Sequence, residues 1–138
     1  MIRRGAGRTQ ACGPAEARAK LSRAKRFLET AALVKDEPDP DFMSIAAALA
    51  VLAGIAASDG ACCKALGLRS RGQNHHDAER LLEEIASGGK EAANALRRLI
   101  NLKDDAHYGF YNISRQSPKS SMNQAQRMID FAEDVIRR

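Results

Sequence analysis

The chain has 138 residues, long enough for one domain that buries roughly two thirds of the surface its unfolded form would expose. Apolar residues make up 44% but aromatic residues only 4%, with no Trp, so alanine and leucine carry the apolar content and favour helix over sheet. The net charge of +5 is unevenly held: residues 1–26 contain eight Lys/Arg against one acid, while the rest of the chain has 14 basic and 16 acidic residues. A basic surface spread over the whole fold is therefore excluded, and the positive charge belongs to an N-terminal arm and the segment after it.

Residues 1–13, "MIRRGAGRTQACG", are predicted to be a flexible basic arm, and residues 14–138 a single helical-bundle domain. The arm has no apolar core segment of the kind a secretory signal needs. Three cysteines, two of them adjacent (Cys62, Cys63) and one in the Gly-rich arm (Cys12), are too few for a disulfide framework. They predict a reduced, cytoplasmic protein.

Ala17, Leu21, Ala24, Leu28 and Ala31 recur at spacings of 4, 3, 4 and 3, which predicts a helix over about 14–34 with one apolar seam. "KDEPDPD" (35–41) stops it, and Asp39 with Pro40 supplies an N-cap and first helical residue for the next. That second helix runs to about Leu66, some 40 Å at 1.5 Å per residue, and ends at Gly67. Ala46, Ala50, Ala53, Gly54 and Ala57 allow close backbone approach, and Gly60 is the place to expect a bend. Its run "FMSIAAALAVLAGIAA" (42–57) is 16 residues against the ~20 that span a bilayer, so a buried central helix is predicted and no membrane association.

"GLRSRGQN" (67–74) reads as a polar loop, with Asn74 capping a third helix over 75–86. "SGG" (87–89) breaks the chain before a fourth helix over 90–108 that ends at Gly109. Ser121 and Gln124 form a capping-box pattern, and Met122, Ala125, Met128, Ile129, Ala132 and Ile136 give the last helix its apolar side. No period-2 alternation of useful length appears. The fold class is all-α, an antiparallel bundle of about five helices.

The chemistry-bearing stretch is "LKDDAHYGF" (102–110). On a helical wheel Lys103 and His107 fall in the apolar arc of Leu96, Leu99, Ala106 and Phe110, while Asp104 and Tyr108 stack on the adjoining strip. An ammonium and an imidazole on such a stripe line a cleft, meet a partner or reach water. A His beside a Lys suits acid–base work with charge stabilisation at a phosphodiester. The alternative is structural: Lys103 extends to solvent and His107 bonds a carbonyl near the helix C-terminus. Lys103, His107, Tyr108 and Asp104 are the candidate catalytic residues, and Arg69, Arg71 and Arg98 the candidate nucleic-acid or phosphate ligands. His76 and Glu79 are three apart, a spacing used in carboxylate-bridged metal bundles, but helical glutamates to complete such a site are missing from the interior faces, and Cys62–Cys63 has no partner pair. No metal and no cofactor are expected, nor is a conventional hydrolase triad or phosphate loop.

The order of a basic first helix, a long Ala-rich second helix ending "ACCKALGLRSRGQNHHDAERLLEEI", and a helix ending "LRRLINLKDDAHYG" resembles the HEPN superfamily over roughly residues 15–137. These are small helical bundles of bacterial toxin–antitoxin and conflict systems, several of them RNA-cutting toxins. The resemblance implies a homodimer whose shared cleft carries Lys103, His107 and Tyr108. In nuclease members an Arg precedes the motif His by four to six residues, and some carry a Tyr two residues after that His, which a partner nucleotidyltransferase modifies. Here position 102 is Leu, Arg98 lies too far back, and Tyr108 follows His107 directly. Arg71 and His76 match the Arg–His spacing but in another segment. The expectation is a binding module engaging a partner protein, RNA or nucleotide; the alternative is a metal-independent endoribonuclease with a divergent Lys/His motif.

Overall fold

A computed structural model describes residues 8–72, 74–108 and 116–138, the side chains at 103–108 and 116–118 excepted. The described residues form β1 (Thr9–Ala11), α1 (Pro14–Val34), α2 (Pro40–Leu66), β2 (Leu68–Ser70), α3 (His76–Glu83), α4 (Gly89–Tyr108) and α5 (Gln116–Arg137). The class is all-α, a helical bundle. The long α2 lies at its centre, with α1 and α5 packed along it, α4 against both α2 and α5, and α3 paired with α4.

Small residues make this arrangement possible. Ala17, Ala24 and Ala31 are the buried residues of α1, and Ala46, Ala50, Ala53, Ala57 and Ala61 face inward from α2. Leu81, Leu82, Leu96, Leu99, Met128 and Val135 fill the volume between them and are fully buried. At Gly54 a β-carbon would come within 2.4 Å of Leu99 Cδ1, so glycine is what admits Leu99 of α4 against α2. Gly60 has a similar role: a β-carbon there would meet the Ala17 carbonyl oxygen at 3.0 Å. Helix α2 continues through Gly60, where the missing side chain is used for close approach to α1.

Several helix ends follow the sequence. Asp39 Oδ1 accepts from the Asp41 backbone N–H at 2.9 Å, with Pro40 opening α2. Gly67 ends α2 in the left-handed conformation at φ 70°, its N–H returning to the Cys63 carbonyl at 3.1 Å. Others do not. At α3 the cap position is His75 and not the expected Asn74, whose Oδ1 instead accepts from the His76 N–H at 3.0 Å from one residue further back. Helix α3 stops at Glu83, and α5 begins at Gln116, so Ser121 lies buried within α5 and is not its cap.

The N-terminal segment corrects several expectations. Residues 9–11 are not a free arm: they pair antiparallel with 68–70, in the register Thr9↔Ser70, Gln10↔Arg69 and Ala11↔Leu68, so the polar loop expected at 67–74 holds a strand. Cys12 is bonded to Cys63, with 5.2 Å between their α-carbons, and the Cys12 N–H donates to the Gly67 carbonyl at 3.0 Å. The reading of three reduced thiols is thereby replaced by one disulfide and one buried free cysteine, Cys62. The crosslink also withdraws the cysteine argument for a reducing compartment. Among the described residues α2 is the one helix long and apolar enough to cross a membrane, and half of its most apolar window is buried inside the bundle.

Candidate nucleic-acid interface

The ribbon places Arg69 where α1, α2 and the N-terminal segment meet. Arg69 Nη2 donates to Gln10 Oε1 at 2.9 Å, directly across the two strands, and Nη1 reaches the Ser70 carbonyl at 3.4 Å. Behind it lies Asp59 of α2, its side chain only 12% exposed and 3.7 Å from Lys20 Nζ of α1. Burial raises the Asp59 carboxyl to about 6, against the opposing pull of the Lys20 and Arg69 charges. One turn on, burial and the neighbouring Asp59 charge push the Cys62 thiol up to about 12. It is a packed side chain and not a nucleophile.

Arg71 continues the ribbon by donating its backbone N–H to the Arg8 carbonyl at 3.0 Å, and both arginines are exposed. The strands thus gather Arg69 and Arg71 with Arg8. They do not include the third phosphate-ligand candidate. Arg98 lies on α4, where it lines an open recess of about 360 Å³ with Asn101, Leu102, Ser120 and Gln124. Among the described residues, Ser121 Oγ and Gln124 Oε1 have no hydrogen-bond partner. This recess stands at the helix segment just ahead of Lys103, Asp104, His107 and Tyr108. Helix α4 extends through Tyr108, so Lys103 and His107 lie one turn apart on its backbone; the side chains of all four candidates lie outside the described residues.

His76 and Glu79, whose spacing suggested metal ligation, are bonded to each other, and Glu79 also to Arg97. His76 Nδ1 bonds Glu79 Oε2, and Arg97 Nε of α4 donates to Glu79 Oε1 at 2.7 Å. Arg97 also approaches Glu83 at 3.7 Å. The Glu79 carboxylate, 5% exposed, is held between a ring nitrogen and a guanidinium, which ties α3 to α4. No group of three or more metal-type ligands occurs among the described residues.

Sequence reasoning missed Lys20, Asp59 and Arg97, and weighed Glu79 only as a metal ligand and not as the partner of Arg97. Asp59 carried a signal: it is an acid within an Ala- and Cys-rich stretch of α2, where a charge is costly. Glu79 and Arg97 are 18 residues apart and ordinary in their local contexts, so their pairing appears only once α3 and α4 are packed. Comparison with protein-family models, curated proteins and solved structures finds no match for the chain.

Proposed function

We propose that this chain is a HEPN-like binding module of a bacterial toxin–antitoxin or conflict system, acting as a homodimer that engages its partner through the end of α4. The observation that carries this reading is the recess of Arg98, Asn101, Leu102, Ser120 and Gln124, a cation with amide and hydroxyl groups opening beside the Lys103–Tyr108 segment. Such a wall suits a phosphate-bearing ligand, RNA or nucleotide, or a partner protein of the nucleotidyltransferase kind presenting one. Leu at 102 removes the guanidinium fork that would grip a phosphate bidentately, and this favours binding over cleavage.

A second reading, the metal-independent endoribonuclease, draws on the one-turn spacing of Lys103 and His107 along α4. His107 would transfer the proton at the scissile phosphate and Lys103 would neutralise the developing charge. One experiment separates the two. Purified protein is incubated with RNA in chelator, beside His107→Ala, and its mass in solution is read by light scattering. The binding reading expects a dimer, no cleavage, and ligand affinity lowered by Arg98→Glu. Metal-independent cutting by the wild type that falls about 10²–10⁴-fold in His107→Ala would replace it with the nuclease.

A further inference from the structure

Arg8 and Arg71 are opposite each other at the open end of the ribbon. The register pairs Thr9 with Ser70, and the backbone bond from Arg71 to Arg8 extends the ladder by one step. Side chains alternate between faces along a strand, so Arg8 shares its face with Gln10, and Arg71 shares its face with Arg69. The contact from Arg69 to Gln10 shows that these are one and the same face. Three guanidiniums therefore stand together on it. Like charges directly opposite, about 5 Å apart at the β-carbon, destabilise a strand pair. Among the described residues no acidic side chain pairs with Arg8 or Arg71, and Asp59, the buried acid on which the Arg69 charge acts, is already 3.7 Å from Lys20.

Three-residue strands with repelling side chains are not stable alone. Here the disulfide to Cys63 and the bond from Cys12 to the Gly67 carbonyl fasten the ribbon to the end of α2. The fold thus holds a cationic face together covalently where local pairing would open it. An acidic ligand spanning the three arginines supplies the missing countercharge, and their close linear spacing fits successive phosphates of a flexible strand.

We infer that the Arg8–Arg69–Arg71 face of the ribbon is a binding site for the phosphate backbone of a single-stranded nucleic acid. It is built from elements other than the α4–α5 recess and does not depend on the function proposed for that recess. The full chain, disulfide intact, is titrated into fluorescently labelled oligouridine over a series of salt concentrations. The wild type is expected to bind with a steep salt dependence. The double substitution Arg8→Ala/Arg71→Ala should weaken binding at least about tenfold at low salt and make the log–log slope shallower by about 1.4, since each single-strand phosphate contact contributes about 0.7. Arg26→Ala, which removes a basic residue paired with Glu29 on α1, should leave affinity unchanged. Arg71→Glu guards against a trivial loss of fold: it places opposite charges across the ribbon, so thermal stability should hold or rise while binding falls. Wild-type protein that does not bind oligouridine overturns the assignment, as does an unchanged slope in the double variant. Capture of polyglutamate in preference to oligouridine would also overturn it and make this a surface for an acidic protein.

Discussion

Lys20 Nζ lies 3.7 Å from Asp59 Oδ2, and yet the Asp59 carboxyl titrates at about 6 instead of 3.8. Removal from water outweighs the lysine together with the more distant Arg69. The folded state therefore binds a proton more readily at this site than the unfolded chain does. Stability from this group is fully present below the unfolded value and is lost as pH rises through about 6. At neutral pH the ionised carboxylate costs on the order of 3 kcal/mol, at 1.36 kcal/mol per unit. Asp59→Asn should accordingly stabilise the protein by about 1–3 kcal/mol at neutral pH, a gain that shrinks as pH falls below about 6 and vanishes near the unfolded value of 3.8. Urea unfolding of both proteins across that range measures it. A loss of stability at neutral pH would show the Lys20 pair to be worth more than the burial costs.

The Cys12–Cys63 bond joins residues 51 apart in sequence, and it is the only disulfide crosslink among the described residues. Reducing it, or replacing both cysteines by alanine, should cost about 2–4 kcal/mol, mainly through freedom regained by the unfolded chain. Peptide mapping without reductant should recover Cys12 linked to Cys63, with Cys62 as the free thiol. That thiol, pushed up to about 12 and buried, should resist aromatic disulfide reagents until the protein unfolds. Rapid labelling of the native protein, or a disulfide through Cys62, would contradict this arrangement.

The helices were legible because their signals are local. The seam of Ala17, Ala24 and Ala31, the Asp39–Pro40 start and the Gly67 stop each act within a few residues, and each is found where the pattern predicts. The ribbon was not legible. Its strands are three residues long, too short for a period-2 signature, and it pairs residues such as Gln10 and Arg69 from opposite sides of two helices. The disulfide escaped for the same reason: adjacent Cys62 and Cys63 point to different sides of α2, and only Cys63 meets the segment folded back from the N-terminus. Ser121 misled because a capping-box pattern is local, whereas the start of α5 lies five residues earlier, at Gln116. Of the site residues, Arg69 and Arg71 were recognised by type, but their grouping with Arg8 needed the strand register.

Gly54 offers a test of how tightly α2 and α4 meet. Alanine would gain up to about 1 kcal/mol in helix propensity. It would also place a methyl group 2.4 Å from Leu99 Cδ1, in a side chain that is completely buried. Overpacking of that kind costs about 1–3 kcal/mol. Gly54→Ala should therefore destabilise by up to about 2 kcal/mol, and Gly54→Ala/Leu99→Ala should lose less than the sum of the two single changes. Strict additivity in denaturant unfolding would mean that the two helices stand further apart.

The Arg97–Glu79 pair should show the asymmetry of buried charge. Arg97→Ala removes the Nε–H donor 2.7 Å from Glu79 Oε1 and leaves a carboxylate that is 5% exposed with His76 as its remaining side-chain partner at that site. A hydrogen bond to a charged group of this kind is worth about 1.5–3 kcal/mol, so a loss in that range is expected. Arg97→Lys keeps the charge but lacks the planar Nε donor, and should recover less than half of it. The double change Glu79→Leu/Arg97→Leu removes both charges and leaves apolar groups between α3 and α4. It should cost less than Arg97→Ala alone, because no unpaired buried carboxylate remains. Chemical denaturation of the four proteins completes the comparison. A double variant less stable than Arg97→Ala would mean that the pair contributes net attraction beyond its own desolvation, and that α3 is held to α4 chiefly by charge.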